Sequence, residues 1–133
     1  MTMNPLLGPA AIEMCKQLMD QIKGAKAVVI ASEDGFELAS QLKNDIQIAR
    51  LSAMSSSLSA LGVLAGDESG LGNCNSVIME ADKGYLAIVQ VRRSDVSLII
   101  SVITSSDSVI GQVAYFSKQA ALALEKIGTA VQA

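Results

Sequence analysis

The side chains best suited to chemistry in this chain are two cysteines, three arginines and one cluster of carboxylates; histidine is absent. Without imidazole, the commonest general base and the commonest nitrogen ligand for metals are both missing. Glu33, Asp34 and Glu37 surround a Gly-containing turn, where two or three carboxylates could hold a cation loosely. A solvated turn is the expected state of such a cluster, and no metal site is assigned. Cys15 falls on the apolar stripe of a helix, where a buried thiol is inert. Cys74 opens a strand-like segment, and the spacing of the two cysteines matches no metal or redox motif, so both are expected as free thiols. The loop Gly66-Asp67-Glu68-Ser69-Gly70-Leu71-Gly72 has glycines but no Gly-Lys-Ser/Thr ending, which argues against a phosphate cradle. No catalytic residue and no cofactor is assigned.

The elements that carry these residues point to association instead. From Leu51 to Gly66 the chain runs sixteen residues without a charged side chain, on a segment with helical apolar spacing. A solvent-facing helix normally carries Lys, Glu or Asp on its outer face, so this one is expected to be covered. Leu51, Met54, Leu58, Leu61 and Ala65 form a 3,4 stripe expected to lie on a sheet. Ser52, Ser55, Ser59, Gly62 and Gly66 form a second stripe about 100° around, where small residues would let a partner helix approach.

Around this segment the pattern predicts a helix over residues 9–23, strands over 25–31 and 36–40 joined at Ser32-Glu33-Asp34-Gly35, and three strands over 74–81, 85–92 and 96–104. A closing helix follows over 108–127, capped by Asp107 or Ser108, and Asn44 or Asp45 is the expected cap of the charge-free helix. The connectors at 82–84 and 93–95 are short enough only for antiparallel neighbours. The order is α-β-β-α-β-β-β-α: an α+β chain with one antiparallel sheet, the outer helices on one face and the charge-free helix on the other. Residues 9–128 are expected to form a single domain, with short tails at 1–8 and 129–133.

Composition limits the partners. Half of the 133 residues are apolar, 3% are aromatic, and the net charge is -3 with a pI near 4.8. There is no basic footprint for nucleic acid and few rings for stacking bases or ligands. The first residues lack the basic start of a signal peptide, and no uninterrupted apolar run approaches the roughly 18 residues of a membrane span. A cytoplasmic location with no membrane partner is expected.

Several stretches together resemble the roadblock-domain family of dynein light-chain subunits and of bacterial and archaeal regulators of small Ras-like GTPases. They are Gly24-Ala25-Lys26-Ala27-Val28-Val29-Ile30, Ser32-Glu33-Asp34-Gly35-Phe36-Glu37-Leu38-Ala39-Ser40, the small-residue-rich second helix, Asp82-Lys83-Gly84-Tyr85-Leu86 and the closing helix. The resemblance covers residues 12–127. It implies a five-stranded antiparallel sheet in a roadblock-like, profilin-like sandwich, and a homodimer that pairs third strands and sets second helices side by side. It further implies a GTPase partner bound on those helices, held in one conformation without covalent chemistry.

Independently, residues 74–80 contain no Pro or Lys and one charge, so as a sheet edge they would lack the usual defences against pairing. The expected dimer interface is Ser52, Ser55, Ser59, Gly62, Cys74, Ser76 and Ile78, and Arg50 and Ser56 are candidate partner contacts. Two other functions fit the same pattern, a PAS-like small-ligand sensor and a structural adaptor indifferent to nucleotide.

Overall fold

A computed structural model describes residues 3–43 and 46–128. It contains α1 (Leu7–Gln21), β1 (Ala25–Ser32), β2 (Glu37–Leu42), α2 (Ile48–Glu68), β3 (Ser76–Ala81), β4 (Gly84–Val91), β5 (Leu98–Ser105) and α3 (Ile110–Glu125). The expected α+β order is therefore present. All five strands join one antiparallel sheet in the order β2-β1-β5-β4-β3, which leaves β3 at an edge.

Strand alternation divides the core into two layers. Val28, Ile30, Ala87, Val89, Ile100 and Val102 face α1 and α3, whereas Val29, Leu86, Ile88 and Ile99 face α2. Strands buried on both faces lose the polar alternation of a half-wet sheet, which is why β1, β4 and β5 read as nearly continuous apolar runs. The β3–β4 turn closes on Ala81 paired with Gly84. A Cβ at Gly84 would lie 1.8 Å from the Thr104 carbonyl oxygen, so only glycine fits there.

Helix limits depart from expectation for identifiable reasons. α1 starts at Leu7, and Leu7, Ala11, Cys15 and Leu18, with Ile22 at its C-cap, form its buried line, while Ile12 is exposed. Leu7 is fully buried and the Asn4 N–H donates to Asp95 at 2.9 Å, so packing begins ahead of Pro9. Asn44 and Asp45 lie outside the described residues; α2 begins after Gln47, which makes no side-chain cap. Neither Asp107 nor Ser108 caps α3, which begins after Val109. The Ser108 hydroxyl donates instead to the Lys23 carbonyl at 2.6 Å, and Asp107 accepts from Ser105, so both bind the β1 and β5 ends.

One arginine of the Arg92-Arg93 pair is structural. Arg93 meets Asp95 through two bonds of 2.8 and 2.9 Å, the two side chains being 5% and 12% exposed. Its Nη1 also donates to the Leu124 and Ile127 carbonyls at 2.6 and 2.8 Å, tying the end of α3 to the β4–β5 connection. The hydrogen-bonded Arg93 guanidinium holds the Asp95 carboxyl well below the usual carboxylate range, against the opposing pull of desolvation.

Candidate docking surface

α2 touches every strand of the sheet, crossing from the β2 edge to the β3 edge. A helix that crosses five strands needs small side chains beneath it, and the serine stripe supplies them. Ser52, Ser55 and Ser59 are 2%, 1% and 5% exposed within the single chain. Ser55 Oγ accepts from Ser101 Oγ of β5 at 2.7 Å, and Ser59 Oγ accepts from Gln90 Nε2 of β4 at 2.8 Å. The expectation that this stripe faces a partner helix is thereby corrected: all three serines are buried under the helix, and the hydroxyls of Ser55 and Ser59 bind the protein's own sheet, while that of Ser52 is buried without a partner. They are closed to contact with a second chain while α2 keeps this seat.

Gly62 continues the same inward line. A Cβ there would meet Cys74 Sγ at 2.8 Å and Val77 Cγ2 at 2.9 Å, so glycine permits a close approach of α2 to the β3 segment, not to another molecule. Gly62→Ala is expected to lower stability by about 1–3 kcal/mol through overpacking, measured by chemical denaturation. Gly66 likewise lies inside α2, against the Gly72 carbonyl.

The outer side of α2 is apolar. Of the 3,4 stripe expected on the sheet, Leu51 is buried and Leu58 partly buried, whereas Met54 and Leu61 are 56% and 60% exposed and Ala65 is also exposed. Leu64 joins them at 59%. The charge-free run thus presents large apolar side chains to the outside, which strengthens the argument for a covering partner while changing the residues that would meet it. Next to this face lies β3, which pairs with β4 on one side only and exposes Ile78 and Met79.

The other singled-out residues separate around this surface. Arg50 is exposed on the first turn of α2, and Ser56 Oγ donates to the Glu33 carbonyl, tying α2 to the β1–β2 turn. Cys74 precedes β3, half-buried, with Sγ 3.5 Å from the Ser76 carbonyl, and Ser76 opens the strand opposite Val89. Cys15 is buried, and burial pushes its thiol up to about 12, with the Glu37 charge adding to the rise. It is therefore a protonated core residue at neutral pH. Among the described residues no group of three or more carboxylates and thiols is arranged to hold a metal ion.

Sequence reasoning missed Met54, Leu61 and Leu64 as surface residues because both flanks of α2 are apolar, so periodicity alone could not rank them. A signal was present in the strands. Gln90 and Ser101 interrupt otherwise apolar runs in β4 and β5, and a buried polar residue needs a polar partner opposite. The α2 serines are the helical residues that can supply it.

The fold and this surface define an α+β sandwich: a sheet with β2 and β3 at its two edges, backed by two helices and crossed by a third whose outer face is apolar. The chain belongs to the Roadblock/LC7 domain family, whose model matches residues 11–103. Its fold is shared by Myxococcus xanthus MglB (18% identity, 98% of this chain and 96% of that one, TM-score 0.81). It is shared also by the gliding protein MglB from Thermus thermophilus (14%, 96% and 95%, 0.82). A Roadblock/LC7 domain from Streptomyces avermitilis is similar as well (18%, 85% and 92%, 0.76). No curated protein matches the sequence significantly.

Proposed function

We propose that this chain is a non-enzymatic, homodimeric regulator or scaffold, acting in the cytoplasm, that binds a small Ras-like GTPase on its paired second helices. The observation that carries this reading is an apolar outer face on α2 whose C-terminal half packs, at Gly62, against the segment of the unprotected β3 edge. A two-fold dimer that pairs β3 with β3 covers that edge and brings Met79, and Leu61 from the half of α2 that lies by β3, toward the axis, while Ile78 points to the opposite face of the sheet. α2 has the length and apolar composition of a membrane-crossing helix, but its hydroxyl-bearing side is bound to the sheet, so a protein surface is the fitting cover. Residues 9–128 act as one domain in this reading.

A GTPase docked on the paired helices would meet Arg50 at their exposed first turns. Regulation then follows from binding one nucleotide state better than the other, which shifts its occupancy. Pull-down from native lysate with the purified chain tests this: a GTPase retained in one nucleotide state and released in the other is the expected result. Partners retained equally in both states, or no GTPase at all, would support the structural adaptor instead.

A further inference from the structure

Arg92 is the member of the basic pair that takes no part in the Arg93–Asp95 bridge. Its guanidinium donates through Nη1 to Asn75 Oδ1 at 2.8 Å, and through Nη2 to the Cys74 carbonyl at 2.8 Å and to Gln90 Oε1 at 3.3 Å. Its backbone N–H donates to Glu125 Oε2 of α3 at 3.0 Å. Gln90, in turn, is the residue whose amide donates to Ser59 of α2. One side chain therefore grips the two residues that lead into β3 and, through a single amide, the helix beside it.

These contacts close a circuit. α2 rests on Cys74 at Gly62, Cys74 and Asn75 are held by Arg92, Arg92 holds Gln90, and Gln90 returns to α2 at Ser59. The segment so gripped lies just outside the ladder, whose first pair is Ser76 with Val89; the backbone adds one bond there, from the Gln90 N–H to the Asn75 carbonyl at 3.1 Å. A planar guanidinium that binds three acceptors at once fixes direction as well as distance, which an ammonium group does not.

We propose that Arg92 is a positioning residue that locks α2 and the β3 edge into one relation, so that a shift of α2 by a bound partner is passed to the strand edge. By reciprocity, pairing of the edge fixes the seat of α2. The inference rests on the homodimer reading for its consequence, but the lock is internal to one chain and is measured separately from it.

The test compares the wild type with Arg92→Ala and Arg92→Lys by sedimentation equilibrium and by amide exchange. Arg92→Ala is expected to raise the dimer dissociation constant about tenfold, the loss of roughly one charged hydrogen-bond set. Amides of residues 77–80 and of 59–64 are expected to exchange faster together, with those of Val28 and Val102 unchanged. Arg92→Lys restores the charge without the fork and is expected to recover less than half of the effect. Wild-type exchange in Arg92→Ala, acceleration confined to 77–80, or equal acceleration across the sheet would each overturn the proposal. A wild type that stays monomeric would remove the homodimer reading, and joint acceleration of the two segments would still establish the lock.

Discussion

Leu61→Asp combined with Leu64→Asp is expected to leave the chain folded and monomeric. Both side chains are more than half exposed in the single chain, so the monomer loses little packing when they are replaced. In the proposed dimer or complex each leucine would contribute about 1.5–3 kcal/mol through burial. Each aspartate would also require desolvation of a charge with no partner in a charge-free face. A combined loss of about 4 kcal/mol raises the dissociation constant roughly a thousandfold. Sedimentation equilibrium reads that change, and a thermal midpoint within a few degrees of wild type shows that the fold persists. Ser55→Asp makes the contrast, because it would place a carboxylate against Ser101 under the helix and unfold α2 from its seat. A double variant that dimerises as tightly as wild type would exclude this face from the interface.

Arg93→Ala is expected to be strongly destabilising although it removes no part of the apolar core. It leaves the largely buried Asp95 carboxylate without its cation and removes the tie to the Leu124 and Ile127 carbonyls at the end of α3. Breaking a buried pair in this way costs about 3–5 kcal/mol, which for a chain of this size lowers the thermal midpoint by about 10 °C or more. The pH dependence has a definite sign. Asp95 is depressed in the folded state, so its contribution is complete above the unfolded value of about 3.9 and is lost as pH falls below it. The gap between wild type and Arg93→Ala should therefore be widest near neutrality and shrink below about pH 4. Melts recorded from pH 3 to pH 7 measure it, and a gap independent of pH would show that Asp95 takes no part.

The five strands and the order of elements along the chain were legible because β1, β4 and β5 are dense in Val, Ile and Leu and the turns between strands are short, whereas the pairing of β1 with β5 joins distant segments that no local pattern links. The edge position of β3 entered only as a condition, since short turns show that β3 neighbours β4 and say nothing of its other side. What sequence could not decide was the rotation of α2. Ser52, Ser55 and Ser59 look like a wet or partner-facing stripe until Gln90 and Ser101 are known to lie beneath them. Those contacts join residues 31 and 46 positions apart, beyond any local pattern. The cap assignments at α3 failed for a similar reason, because Asp107 and Ser108 are recruited by the ends of β5 and β1. Arg92 and Arg93 show the same limit: two adjacent residues of one type serve opposite sides of a strand end.

A helix whose seat is assembled from all five strands has a consequence for synthesis of the protein. When α2 leaves the ribosome, Gln90 and Ser101 have yet to emerge, and the bed that receives its hydroxyls has not formed. For that interval the nascent chain carries an uncharged, leucine-bearing segment with neither of its two covers, the kind of surface that invites capture by chaperones. Maturation in the proposed dimer is then two closures in sequence, first the helix onto its own late-arriving strands and then its outward leucines against another chain.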